Sequence, residues 1–262
     1  MSTTPDVTQF EPAVITPTSP ETSPTTSAPS AQEDAVVAVP ATPGPFVLPP
    51  GEVALVVIDM QRDFLLPGGF GETLGNDVSQ LAAVIPPLQQ VLAAARAAGL
   101  MIIHTREGHR PDLSDLPAAK HRRGKPSLRI GDPGPYGRIL IRGEYGHDII
   151  DELTPLPGEL LIDKPGKGSF YGTNLQDTLQ EQGITTLIVT GVTTEVCVHT
   201  TVREANDRGY DVLVLSDCVG SYFPEFQRVG LEMVAAQGGI FGWVTDSATL
   251  LAHLPQPATT AA

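Results

Sequence analysis

Cysteine is scarce in this 262-residue sequence, which has two in all, Cys197 and Cys218. That count excludes a disulfide framework, and without a secretion signal both read as reduced thiols, although spacing alone leaves a single bond between them open. Basic residues are few as well: 16 Lys plus Arg stand against 30 Asp plus Glu, a formal net charge of −14. A surface that acidic repels phosphate backbones and anionic lipid, so neither nucleic acid nor a membrane surface is an expected partner. No apolar run approaches the roughly 20 residues of a bilayer span, and the opening MSTTPDVTQFEP offers neither the basic nor the apolar stretch of a leader. The expectation is a soluble, cytoplasmic protein.

Lys and Arg are missing altogether from residues 1–50, which hold 11 of the 25 prolines and 14 Ser or Thr. Such a stretch cannot bury enough apolar surface to offset the entropy of ordering it. The expected organisation is a disordered tail over 1–50, one domain over 51–254 and a short disordered C-terminus over 255–262. Deleting residues 1–45 is then expected to leave stability unchanged.

Within the domain, Val53-Ala-Leu-Val-Val-Ile58 is a continuous apolar run rich in β-branched residues, the pattern of a strand buried on both faces. Similar runs follow at 100–104, 159–163, 186–190 and 212–215. Helical periodicity fills the intervals at 77–98, 171–182, 195–208 and 224–236, each closed near a glycine (Gly99, Gly183, Gly209, Gly238). Alternation of this kind implies an α/β fold of three layers, α/β/α, around a mostly parallel, doubly wound sheet. Residues 107–144 break the rhythm with Gly, Pro and charge, and a loop of that length is expected to serve function or an interface.

In doubly wound sheets the chemistry lies beyond the carboxyl ends of the strands. Three such ends carry reactive groups: Asp59, Lys164 and Cys197. Singly, each has a plain alternative as a turn residue, a solvated ammonium or a small buried apolar side chain. Jointly, a carboxylate, an ammonium and a thiol make a nucleophile site, because a thiol needs a base and a positive neighbour to react near neutral pH. Cys197 also opens a helix, whose N-terminal N–H groups favour a thiolate and an adjacent oxyanion. Cys218 has no such context and reads as structural.

Three segments, VVIDMQRDFLLPGG (56–69), IDKPGKGSFYGTNL (162–175) and VTGVTTEVCVHTTVREANDRGYDVLVLSDC (189–218), resemble the isochorismatase-like cysteine hydrolases, and more narrowly the amidohydrolases of biuret and related ureido compounds. The resemblance spans residues 51–254. It implies Asp59 as general base, Cys197 as nucleophile and Lys164 as the cation that favours their charged states. It also implies an oxyanion hole from the backbone N–H groups of Thr193 and Cys197, beside a cis peptide between Val192 and Thr193. Lys167 becomes a candidate substrate contact. So does Gln237, whose amide complements a ureido group and whose plain alternative is a helix-end residue. Phe64, Phe70 and Phe170 are candidate pocket walls.

Metal-dependent nicotinamidases of this fold carry an Asp-x-His and further histidines, where this sequence has Glu107, His109 and Asp115. One His and two carboxylates make a poor transition-metal site, so no metal and no cofactor are expected. The implied protein is a homo-oligomer, as a tetramer, that hydrolyses a small neutral ureido or amide compound. Biuret is the first choice; triuret, ureidoacrylate, N-carbamoyl amino acids and nicotinamide are alternatives. A non-catalytic interaction protein on the same fold is the rival of another class.

Overall fold

The computed structural model describes residues 37–254, so the readings of 1–36 and 255–262 as disordered lie outside the described residues. The chain opens with an antiparallel hairpin of β1 (Val37–Val39) and β2 (Phe46–Leu48). It enters the main sheet at β3 (Val53–Ile58) and leaves it through α1 (Arg62–Leu65), α2 (Phe70–Thr73), α3 (Ser79–Ala82) and α4 (Ile85–Ala97). Next come β4 (Met101–Glu107), α5 (Ala118–His121), and a two-by-two-residue hairpin of β5 (Pro133–Gly134) and β6 (Gly137–Arg138). The remainder alternates: β7 (Leu160–Lys164), α6 (Leu175–Glu181), β8 (Thr186–Val192), α7 (His199–Asp207), β9 (Asp211–Gly220), α8 (Pro224–Gly239), β10 (Trp243–Thr245) and α9 (Ser247–His253).

Six strands form one all-parallel sheet in the order β10-β9-β8-β3-β4-β7, flanked by helices as the sequence implies. The chain winds one way through β4 and β7 and then the other through β8, β9 and β10, so the order reverses between β3 and β8. Every residue of β3 is buried. Leu55 and Val57 join the core on one face, and Ala54, Val56 and Ile58 join the core on the other, because successive side chains alternate across a strand. Among the described residues no helix is long and apolar enough to cross a membrane.

Two boundaries differ from the sequence reading for identifiable reasons. The helix expected over 77–98 is two helices, because Pro86 and Pro87 have no N–H to continue the ladder and instead occupy the first turn of α4. The tail does not extend to residue 50. Val39, Phe46 and Leu48 are buried in the domain core, the Phe46 ring lies 5.1 Å from that of Trp243, and Thr42 exchanges two backbone hydrogen bonds with Val244 of β10. Proline-rich composition concealed this hairpin because only a few apolar residues anchor it. Deleting residues 1–48 is therefore expected to destabilise the domain by about 4 kcal/mol or more, from three buried apolar side chains alone. An unchanged urea midpoint for the truncated chain would refute that estimate.

Candidate active site

Four neighbouring strands, in the order β7-β4-β3-β8, bring the site together at their C-terminal ends. Asp59 follows β3 directly and takes a left-handed φ of 51°, a conformation that short polar side chains tolerate. Its Oδ1 accepts a hydrogen bond from Thr105 Oγ1 at 2.7 Å, and its Oδ2 lies 2.8 Å from Lys164 Nζ. Both charged side chains are fully buried. Lys164, the last residue of β7, also donates to the carbonyls of Gly166 at 3.1 Å and Lys167 at 2.9 Å, so the ammonium has three partners for its three N–H groups. Burial works against its charge, but Asp59, Cys197 and Glu107 outweigh that effect and raise its pKa.

Cys197 is delivered by a π turn, Thr194–Val198, that connects β8 to α7. Its approach depends on Gly191, which has a φ of 101° and at which a Cβ would lie 2.0 Å from the Ile58 carbonyl oxygen. No larger residue could bring β8 so near the end of β3. The Val192–Thr193 peptide is cis, as the resemblance implies. Reactive atoms of Asp59, Glu107 and Cys197 all lie within 4.8 Å of one another, and the Cys197 thiol donates to Glu107 Oε2 at 3.5 Å. Burial pushes that thiol well above its ordinary pKa, and the Asp59 and Glu107 carboxylates add to this while Lys164 opposes it. Lys167 opposes the shift as well, so burial and the two carboxylates act against the two neighbouring cations.

A cavity of ≈ 180 Å³ opens on this cluster. Phe64, Phe70, Leu74, Leu140, Val192 and Val196 supply its apolar walls, and Glu107, Lys167, Thr193 and Cys197 supply the polar ones. Of the substrate contacts named from sequence, Lys167, Phe64 and Phe70 reach this cavity. Phe170 does not: its ring is buried in the core, stacked on Tyr210 at 5.8 Å and covered by the Arg208 guanidinium at 4.8 Å. Gln237 is likewise outside. It is exposed, in a left-handed kink (φ 53°) that interrupts α8 over Ala236–Gly238, the geometry of its plain alternative. A more open groove of ≈ 300 Å³ between α7 and α8 touches none of Asp59, Lys164 and Cys197.

Sequence reasoning missed three contributors. Glu107 is the last residue of β4, and in the sequence it reads only as a lost metal ligand. Lys120, in the long 107–144 stretch, reaches Glu107 Oε1 at 2.8 Å. Gln61 donates to the carbonyls of Glu107 at 3.0 Å and His147 at 2.8 Å and accepts from the Glu107 N–H at 2.7 Å. Its place in the IDMQ run just after β3 is the signal that could have found it.

Asp59, Glu107 and Cys197 form a group of three possible metal ligands, but the chemistry of the set does not fit a cation. The ammonium of Lys164 already neutralises Asp59, and those of Lys120 and Lys167 neutralise Glu107. At His109, Nδ1 lies 3.2 Å from Asp115 Oδ1 and Nε2 lies 3.0 Å from Lys120 Nζ, so both ring nitrogens are committed.

Comparison with known proteins agrees with this architecture. Residues 53–249 match the isochorismatase domain. The ureidoacrylate amidohydrolase RutB of Methylobacterium radiotolerans is 34% identical over 226 residues, covering 84% of this chain and 86% of its own. Among solved structures, a cysteine hydrolase from Pseudomonas syringae pv. phaseolicola superposes with a TM-score of 0.68 at 29% identity, over 85% of this chain and 98% of that one. N-carbamoylsarcosine amidase from Thermoplasma acidophilum gives a TM-score of 0.57 at 26% identity, over 75% and 96% of the respective chains. With a doubly wound sheet, a thiol beside a buried Asp–Lys pair, and a domain match over most of its length, the chain belongs to the isochorismatase-like hydrolase family.

Proposed function

We propose that the protein is a cysteine-dependent amidohydrolase that cleaves a C–N bond of a small neutral ureido compound, with biuret as first choice. The observation that carries this reading is the meeting of the Cys197 thiol with the buried Asp59–Lys164 pair at the wall of a small, mostly apolar cavity. Asp59 takes the thiol proton as Cys197 attacks the substrate carbonyl. The N–H groups of Thr193 and Cys197 receive the developing oxyanion. Collapse breaks the C–N bond, the proton passes from Asp59 to the departing ammonia, and an acyl-enzyme remains on sulfur. Water, deprotonated by Asp59, then attacks the thioester, releasing the carbamoyl-type acid and restoring the thiol. For biuret the balance is one water consumed, with urea-1-carboxylate and ammonia formed. Lys164 holds the Asp59 carboxylate in place throughout.

The names of two similar proteins, a ureidoacrylate amidohydrolase and an N-carbamoylsarcosine amidase, support ureido or carbamoyl chemistry. Neutrality of the substrate rests on the cavity: among the described residues its only cationic lining group is Lys167, already engaged by Glu107 at 2.8 Å. A carboxylate-bearing substrate such as ureidoacrylate would find no uncommitted cation there. The exposed Phe226 and Met233 of α8 support assembly into a homo-oligomer, proposed as a tetramer. Ammonia release measured over biuret, triuret, ureidoacrylate, an N-carbamoyl amino acid and nicotinamide is expected to give the highest kcat/KM with biuret. A preference for ureidoacrylate would overturn the neutral-substrate argument, and no release from any of them would favour the non-catalytic alternative.

A further inference from the structure

Glu107 takes no part in the reaction just described, yet it is nearly inaccessible and touches the nucleophile. Its surroundings leave it no freedom. Gln61 grips its backbone on both sides. Its Oε1 accepts from Lys120 Nζ at 2.8 Å and Lys167 Nζ at 2.8 Å, and Lys167 Nζ also lies 3.0 Å from Oε2. Lys120 is itself fixed by the Pro165 carbonyl at 2.6 Å and by His109 Nε2 at 3.0 Å. Burial alone would favour protonation of Glu107, but Lys167, Lys164 and Lys120 together hold it well below the usual carboxylate range. Such a group stays ionised and is a poor base.

A carboxylate oxygen accepts about two hydrogen bonds. In the resting site both places on Oε2 are filled, one by Lys167 and one by the Cys197 S–H. Acylation empties the second place, because the sulfur proton leaves when the S–C bond forms. One acceptor place of a buried, ionised carboxylate is then empty directly beside the acylated sulfur, while Lys167 keeps the other place on Oε2. The retained atom on the acyl carbon stands two bonds from that sulfur, within reach of the vacated place. In R–NH–CO–NH2 that retained atom is nitrogen with its hydrogen, whereas in R–CH2–CO–NH2 it is carbon and has no hydrogen bond to give.

We propose that Glu107 is a specificity-determining residue: its Oε2 passes from the Cys197 thiol to the retained N–H of the acyl group and so selects ureido compounds over carboxamides. The inference rests on Cys197 being the nucleophile. Glu107 gains and loses no proton in the cycle; the thiol proton still travels through Asp59 to ammonia. It also gives the ureido preference a source that Gln237, outside the cavity, does not supply.

Biuret and malonamide are matched probes, differing by one central NH replaced with CH2. A urea-type carbonyl is intrinsically the less electrophilic of the two, so a preference for biuret must come from the site. Leaving one acceptor place of a buried carboxylate empty with malonamide predicts that the wild-type protein favours biuret in kcat/KM by about 5- to 150-fold. Glu107→Gln should lose activity toward both compounds while the biuret-to-malonamide ratio falls toward unity. Because that variant could fold poorly, Cys197→Ala, in which Oε2 is vacated from the outset, should bind biuret more tightly than malonamide by calorimetry. A wild-type ratio near unity with both compounds hydrolysed, a ratio that survives in Glu107→Gln, or equal affinities in Cys197→Ala would each overturn the role of Glu107 and leave the hydrolase reading standing. Ammonia release from neither compound would remove both.

Discussion

Serine at position 197 is expected to lower kcat/KM by about 10⁴-fold or more, on the scale seen when other enzymes lose a covalent nucleophile. The substitution keeps the shape of the side chain but replaces a thiol with a hydroxyl of much higher pKa, in a site where burial already disfavours the anion. The far-ultraviolet spectrum and urea midpoint should change little, because the hydroxyl can keep the hydrogen bond to Glu107. Cys218 is the internal control: it is fully buried in β9, among core side chains, and Cys218→Ser should alter turnover only a few-fold. Near wild-type activity in Cys197→Ser would remove the nucleophile from the mechanism.

Lys164→Met should be costly in a different currency, stability. It keeps the length of the side chain but removes the ammonium, leaving the fully buried Asp59 carboxylate with Thr105 as its remaining side-chain partner. Breaking one half of a buried ion pair costs about 3 to 5 kcal/mol, whereas removing both halves is often close to neutral. The double variant Asp59→Asn with Lys164→Met should therefore recover most of the lost stability in urea titration and still release no ammonia. Such a result would separate the role of the pair in folding from its role in chemistry. If the single variant were as stable as the parent, the carboxylate could not be held ionised and unpaired in the interior.

The parts of this site that were legible in the sequence are those set by strand ends. Asp59, Lys164 and Cys197 each stand at or just beyond an apolar run, and parallel order brings such positions to one edge whatever the loops between them do. Continuous apolar runs also marked the centre of the sheet, since β3 and β8 are buried at every residue. Less legible was everything decided by a long-range partner. Glu107 closes β4 and looked like a failed metal ligand until Lys120, thirteen residues later, proved to fold back on it. Gln237 suited a ureido group by chemistry, but no local signal told whether the end of α8 would turn toward the cavity or away. Phe170 shows the same limit: an aromatic near a catalytic motif packs against Tyr210 as readily as against a ligand.

The hairpin ahead of β3 has a consequence for solubility as well as for stability. β10 is an edge strand of only three residues, and an uncovered edge is a template for pairing with another chain. Here Thr42 occupies that edge at its midpoint: its N–H donates to Val244 O at 2.8 Å and its carbonyl accepts from Val244 N at 2.9 Å, while Thr245 Oγ1 donates to Pro40 O at 2.7 Å. The segment is a single bridge and not a full strand, with the cis Thr42–Pro43 bond directly after the contact. Proline offers no N–H to extend the ladder outward, so the covering segment cannot itself recruit a further strand at that point. A chain cut after residue 48 would present β10 bare, and its first visible defect should be concentration-dependent aggregation at temperatures below its melting point.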